Sequence, residues 1–252
     1  MKKKNGIKYF KEEWKRMKAY LKSYLKKGQQ EDLHRFRVQV KKLRAFFTLS
    51  DTLSPHSNMN KKFKLVKKIF KEAGKLRNTY IKHKLADRPE PNTRTSPDLP
   101  IAKASRKFRL KVLKYLKKTQ SVHGVLKKNI KSIKNSSVHQ FYEDQLQQIA
   151  GALAPLQFNE KLHECRKRIK VLLYNYQLVQ ATLGITLNED YLKQLQEAIG
   201  NWHDYLLSPT RLSGDHTTDT TVNVMNKQQQ KLKEDIISLT HDFYYRATTA
   251  GM

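Results

Sequence analysis

The sequence predicts an all-α protein built as two four-helix halves related by an internal repeat. Three observations lead there. Gly and Pro are scarce, and all seven prolines, at 55, 89, 91, 97, 100, 155 and 209, fall between stretches of helical periodicity. Within those stretches apolar residues recur every three or four positions, the pattern of a helix with one buried stripe. A cationic pattern also occurs twice: His34, Arg37 and Lys41 reappear at the same spacing as His163, Arg166 and Lys170, with Leu43 and Leu172 at the next matching place.

The first helix, expected over 6–27, carries Ile7, Phe10, Trp14, Met17, Leu21 and Leu25 as a stripe flanked by lysines. A bundle helix must bury such a stripe, and a basic amphipathic helix on an anionic membrane would show the same pattern. The second helix, 30–53, has Leu33, Phe36, Val40, Leu43 and Phe47 in a stripe beside its cationic motif. The third spans 57–86 and the fourth 100–134, separated by the loop 87–99 with Pro89, Pro91 and Pro97. The second set is expected at 136–154, 159–183, 189–207 and 222–247, with the Ser-, Gly- and Thr-rich run 208–221 as its loop. Leu162, Ile169, Leu172, Leu173 and Tyr176 form the stripe of the motif helix there.

In each half the motif lies on the second helix. At about 100° per residue, offsets of 0, 3 and 7 fall in one narrow sector, so the imidazole and both cations point the same way. The adjoining apolar stripe places them at the edge of a core, facing a cleft. The following helix extends the repeat. Glu72, Ala73 and Gly74 with Arg77, Asn78 and Tyr80 align approximately with Ala198, Ile199 and Gly200 with His203, Asp204 and Tyr205. A glycine inside a helix costs about 1 kcal/mol relative to Ala, so its use here is close helix packing or a backbone near a ligand. Arg77 and His203, three residues after each glycine, extend the same cationic surface.

Charge narrows the partner. The chain carries 51 Lys and Arg against 22 Asp and Glu, a net of +29. Residues 1–134 hold 40 basic and 9 acidic residues, hence +31, and residues 135–252 hold 11 and 13, hence −2. Such a half calls for a highly anionic partner: inorganic polyphosphate, nucleic acid or an anionic membrane. Nucleic acid fits the charge but not the aromatics, since Phe36, Phe47, Phe63 and Phe70 sit in apolar stripes and not where bases could stack.

Other classes find little support. Cys165 is the only cysteine, which excludes a disulfide framework and a cysteine zinc site and suits a small buried residue. His163 and Cys165 point about 200° apart and cannot share a metal. The acidic pairs Glu143-Asp144, Glu189-Asp190 and Glu234-Asp235 are expected near helix starts, and His203-Asp204 and His241-Asp242 at the surface or in the core. With no Gly-rich phosphate loop or nucleophile elbow, neither an enzyme nor a cofactor or metal is expected. The lysines at 2–4 precede no signal-like apolar run, and no segment nears the roughly 20 apolar residues that span a bilayer, so a cytoplasmic protein is expected.

At the repeated motifs the chain resembles the CHAD family, the conserved-histidine α-helical domain. The family's first motif resembles His34-Arg35-Phe36-Arg37-Val38-Gln39-Val40-Lys41-Lys42-Leu43-Arg44. Its second resembles His163-Glu164-Cys165-Arg166-Lys167-Arg168-Ile169-Lys170-Val171-Leu172-Leu173-Tyr174, and its glycine motifs resemble Gly74 to Asn78 and Gly200 to Asp204. The resemblance covers essentially the whole chain as one domain. It implies two four-helix bundles enclosing a basic channel or cleft that binds inorganic polyphosphate, with a link to polyphosphate granules. Carried over, the phosphate-binding set is His34, Arg37, Lys41, Lys42, Arg44, Arg77, His163, Arg166, Lys167 and Lys170. The chain departs from the family where Leu173 replaces arginine, Val171 a common basic residue and Asn78 aspartate, which implies a weaker cationic wall in the second half.

Overall fold

The computed structural model describes residues 1–86, 99–206 and 219–248. Every regular element among them is helical. The helices are α1 (Lys3–Lys27), α2 (Gln30–Leu53), α3 (Met59–Lys62), α4 (Lys64–Ala86), α5 (Leu99–Asn129), α6 (Asn135–Leu153), α7 (Glu160–Leu183), α8 (Glu189–Leu206), α9 (Asp219–Thr240) and α10 (Phe243–Thr248), with a 3₁₀ turn at Pro55–Ser57. The expected loops at 87–99 and 208–221 lie almost wholly outside the described residues.

Contacts divide the chain into two compact units, Lys2–Ile133 and Lys134–Met252 together with Met1. In the first, α1 packs on α2 and α5, α2 on α4, and α4 on α5. Its core is aromatic. The Phe47 ring, fully buried, meets Phe63 edge-on at 5.0 Å, Phe46 at 5.7 Å and Phe10 at 6.0 Å. Of the α1 stripe, Phe10, Trp14, Met17 and Leu21 are buried within this unit, and Ile7 and Leu25 are half-buried. That stripe therefore serves the core and is not available to a membrane. Gly28 ends α1 in the left-handed region at φ 75°, its N–H bonded to the Tyr24 carbonyl, beside Lys26 and Lys27 in a last turn whose dipole favours cations.

In the second unit α6 packs on α7, α7 on α8, α8 on α9, and α10 on α6 and α8. The fully buried Tyr142 hydroxyl donates to the Leu172 carbonyl at 3.0 Å and ties α6 to the motif helix. Asn159 caps α7 by accepting from the Lys161 N–H at 2.8 Å, and Gly184 ends it at φ 68°. Cys165 is buried, as its composition suggested.

Four element boundaries differ from expectation. The first helix starts at Lys3 and not at 6. The expected helix 57–86 is split, because the Asp51 carboxylate accepts from the Met59 and Asn60 N–H groups at 2.6 and 2.9 Å and so caps a short α3, after which Phe63 turns into the core. The expected helix 100–134 ends at Asn129, and the irregular chain beyond it buries Ile130 and Ile133. The expected helix 222–247 breaks at Asp242, whose φ of 50° redirects the chain so that Phe243 and Ala247 enter the core. Of the three acidic pairs only Glu189-Asp190 occupies a first turn. Glu143 instead accepts from the Tyr244 hydroxyl at 2.6 Å, and Glu234 lies well inside α9.

Candidate functional site

The two motif arginines are held in the same way. Arg37 on α2 donates through Nη1 to the Phe70 carbonyl on α4 at 3.0 Å, four residues before Gly74. Arg166 on α7 donates through Nε to the Gln196 carbonyl on α8 at 3.0 Å, four residues before Gly200. In each half the glycine opens the space. A Cβ on Gly74 would stand 2.6 Å from Arg37 Nη1, and one on Gly200 would stand 2.8 Å from Arg166 Cζ and 2.9 Å from its Nε. The sequence left two uses open for these glycines, and in the structure each makes room for a guanidinium laid across the helix. Arg37 also lies 4.3 Å from the centre of the Phe70 ring, a cation–π contact that fixes its plane.

Around Arg37 the cations crowd one another. Burial pushes the His34 imidazole below its ordinary value; Glu31 opposes this, and the charges of Arg77, Lys41 and Arg37 add to it. Burial and then Arg77 lower Arg37 itself. So His34, Arg37 and Lys41 share one side of α2, as the helical spacing predicted, and Arg77 joins them from α4. Arg44 is exposed, and its charge acts, after burial, to lower Lys67, a lysine outside the expected set. Lys42 is half-buried and points about 100° round the helix from Lys41.

The second cluster is less charged but more enclosed. The His163 ring stacks on His203 at 4.0 Å between centres, 22° from parallel. Both buried Nδ1 atoms lack a hydrogen-bond partner, and the nearest carboxylate oxygen, on Asp204, is 3.9 Å from that of His203. Burial, then His203 and Lys167, push His163 down against the pull of Glu160, with Arg166 adding to the depression. Burial and then Arg166 push the Lys170 amine down to about 8, opposed by Asp204 and Glu197. Lys167 belongs to the motif run but bonds the Glu164 and Glu160 carboxylates at 2.5 and 3.4 Å, which neutralise much of its charge. His203 completes this cluster although it was left out of the expected binding set; its signal was the alignment with Arg77, three residues after the glycine. Its partner pair is different in kind, since His241 and Asp242 are both exposed and bonded to each other at 2.8 Å.

Chemically, each cluster offers fixed guanidinium donors, an amine and imidazole nitrogens that gain strength when an anion arrives. Among the described residues no group of three or more His, Cys, Asp or Glu could hold a metal, and no helix is long and apolar enough to cross a membrane.

The downward shift of Lys170 sets a pH dependence. Its folded value of about 8 lies below the ordinary 10.5, so between those limits the unfolded chain binds the extra proton and stability rises with pH. Anion binding runs the other way, because it needs the cation. Polyanion affinity should fall several-fold as pH rises from 7 to 9, and Lys170→Arg, which stays charged, should remove most of that fall; calorimetric titration at the two pH values measures it. An unchanged slope in the variant would place the titrating group elsewhere.

A family model described as the CHAD domain matches residues 8–213. No curated protein and no solved structure matches the chain.

Proposed function

The chain belongs to the CHAD domain family, and from that premise we propose that it binds inorganic polyphosphate without acting on it chemically. The observation that carries the reading is the twinned arginine anchor: in both units an arginine, seated over a helical glycine, stands beside a histidine and a lysine of the same motif. Linear polyphosphate presents a row of oxygen anions and no bases, so its receptor needs repeated, fixed donors and not a base-reading surface. Two such clusters in a chain of +29 supply them. In this proposal His34, Arg37, Lys41, Arg77, His163, Arg166, Lys170 and His203 contact phosphate, and Lys42, Arg44 and Lys167 contribute field. In the same proposal each half is a four-helix bundle that supplies its motif helix to phosphate binding, and the protein works in the cytoplasm, at polyphosphate granules.

Nucleic acid is the rival with the same charge. The burial of Phe36, Phe47 and Phe63 and the use of Phe70 as a seat for Arg37 speak against base stacking. Calorimetric titration with long-chain polyphosphate and with single-stranded RNA of matched charge, each at 50 and 200 mM salt, separates them. Polyphosphate is expected to bind at least about tenfold more tightly at both salts, with affinity falling steeply as salt is added. Equal affinity for the two polymers would replace this reading with that of a general polyanion surface.

A further inference from the structure

One face of α1 carries a second cationic feature that the motif clusters do not use. Lys11, Lys15, Lys18 and Lys22 follow at spacings of four, three and four, so they align along one side of the helix over roughly 16 Å at 1.5 Å per residue. With Gln120 and His123 of α5 they border a groove of about 470 Å³ whose inner wall is Trp14. No residue of α2 or α4, the helices of the first cluster, lines it. Among the described residues no carboxylate pairs with these four lysines; the one acid buried on α1, Glu13, is bonded to Arg16.

The inner wall is built for a polar occupant. The His123 ring stacks on Phe10 at 5.1 Å and stands 5.3 Å from Trp14, which fixes its plane. The Trp14 indole is 3% exposed, and its Nε1 has no hydrogen-bond partner. Burial holds His123 below its ordinary value, and Lys127, Lys18 and Lys11 depress it further, a repulsion that an entering anion would reverse. A row of mobile point charges, with no planar fork, suits an extended anion whose phosphates need charge more than fixed geometry.

We propose that the α1–α5 groove is a second anion site, separate from the His-Arg-Lys clusters, that takes a segment of linear polyphosphate and lets one molecule hold two segments. It rests on the polyphosphate reading above for the identity of the polymer. A protein with two separate sites joins strands, because binding at one site raises the effective concentration at the other and a long polymer reaches several molecules. This gives granule organisation a physical cause.

The test uses the whole chain and a triple charge reversal, Lys15→Glu/Lys18→Glu/Lys22→Glu, at exposed and half-buried positions outside the motifs. Light scattering follows assembly with long-chain polyphosphate, and calorimetry counts the sites. Wild type is expected to scatter, and in a Trp202→Phe background, which leaves Trp14 as the one tryptophan for all emission readings, tripolyphosphate should shift the emission. The triple variant should lose at least tenfold of the scattering and the emission shift while still binding at the motif clusters. Arg37→Ala/Arg166→Ala should keep the emission shift, which shows the groove working alone. Scattering and emission in the triple variant equal to wild type would overturn the groove. Failure of the polyphosphate reading appears differently, as equal affinity of wild type for RNA, whatever the triple variant does.

Discussion

Arg37→Ala/Arg166→Ala should weaken long-chain polyphosphate binding by at least about 100-fold. A hydrogen bond to a charged group contributes about 1.5–3 kcal/mol, and each tenfold in affinity is about 1.4 kcal/mol, so losing one fixed guanidinium in each cluster is expected to cost 3 kcal/mol or more if the effects add. The arginines matter more than the surrounding lysines because their planes are already set. Arg37 is held by the Phe70 carbonyl and ring, and Arg166 by the Gln196 carbonyl, so binding spends little entropy on ordering them. Lys3→Ala/Lys4→Ala removes the same formal charge from exposed positions in the first turn of α1 and should change affinity only a few-fold. Calorimetry on both double variants measures the contrast, with far-UV circular dichroism to establish that each folds. Equal losses would mean that the clusters act through net charge and that their geometry serves the fold.

The second large effect is expected at Gly200. Replacing a helical Gly by Ala ordinarily stabilises by about 1 kcal/mol, and Gly151→Ala should do so, because Gly151 is exposed and a Cβ there meets nothing within 4 Å. At Gly200 the same methyl group meets the Cζ and Nε of Arg166. These atoms lie too far back along the side chain for the tip alone to swing clear, so the guanidinium must leave and its bond to the Gln196 carbonyl is lost. Gly200→Ala should therefore be less stable than Gly151→Ala by about 2–3 kcal/mol. Polyphosphate affinity should fall with it. At Gly74 the contact is mainly with the Nη1 tip of Arg37, which can swing aside, so Gly74→Ala should fall between the two. Urea unfolding, with Trp14 reporting one unit and Trp202 the other, gives the stabilities. A Gly200→Ala as stable as Gly151→Ala would show that Arg166 does not depend on that space.

Much of the fold was legible because helix signals are local. The prolines and the three-and-four spacing of Leu33, Phe36, Val40, Leu43 and Phe47 act within a few residues of where they stand. The boundaries that differed involve longer reach. Asp51 caps a helix start eight residues away, Phe63 turns into a core assembled from α1 and α2, and the break at Asp242 serves the burial of Phe243. No periodicity carries those contacts.

The candidate site divides along the same line. By itself the sequence determined that His34, Arg37 and Lys41 share a helix face, that His163, Arg166 and Lys170 repeat them, and that a glycine stands at one place in each following helix. Spacing on a helix is enough for that, since the backbone alone sets which side chains point together. Only the tertiary structure decided what each group does there. It seated both arginines over their glycines, stacked His203 on His163 and lowered Lys170 to about 8. It also brought α5 beside the lysine face of α1 to make a groove. The reason is that the burial, the carbonyl partners of the arginines and the second imidazole come from groups about 30 residues or more away along the chain, and a local pattern carries no record of them.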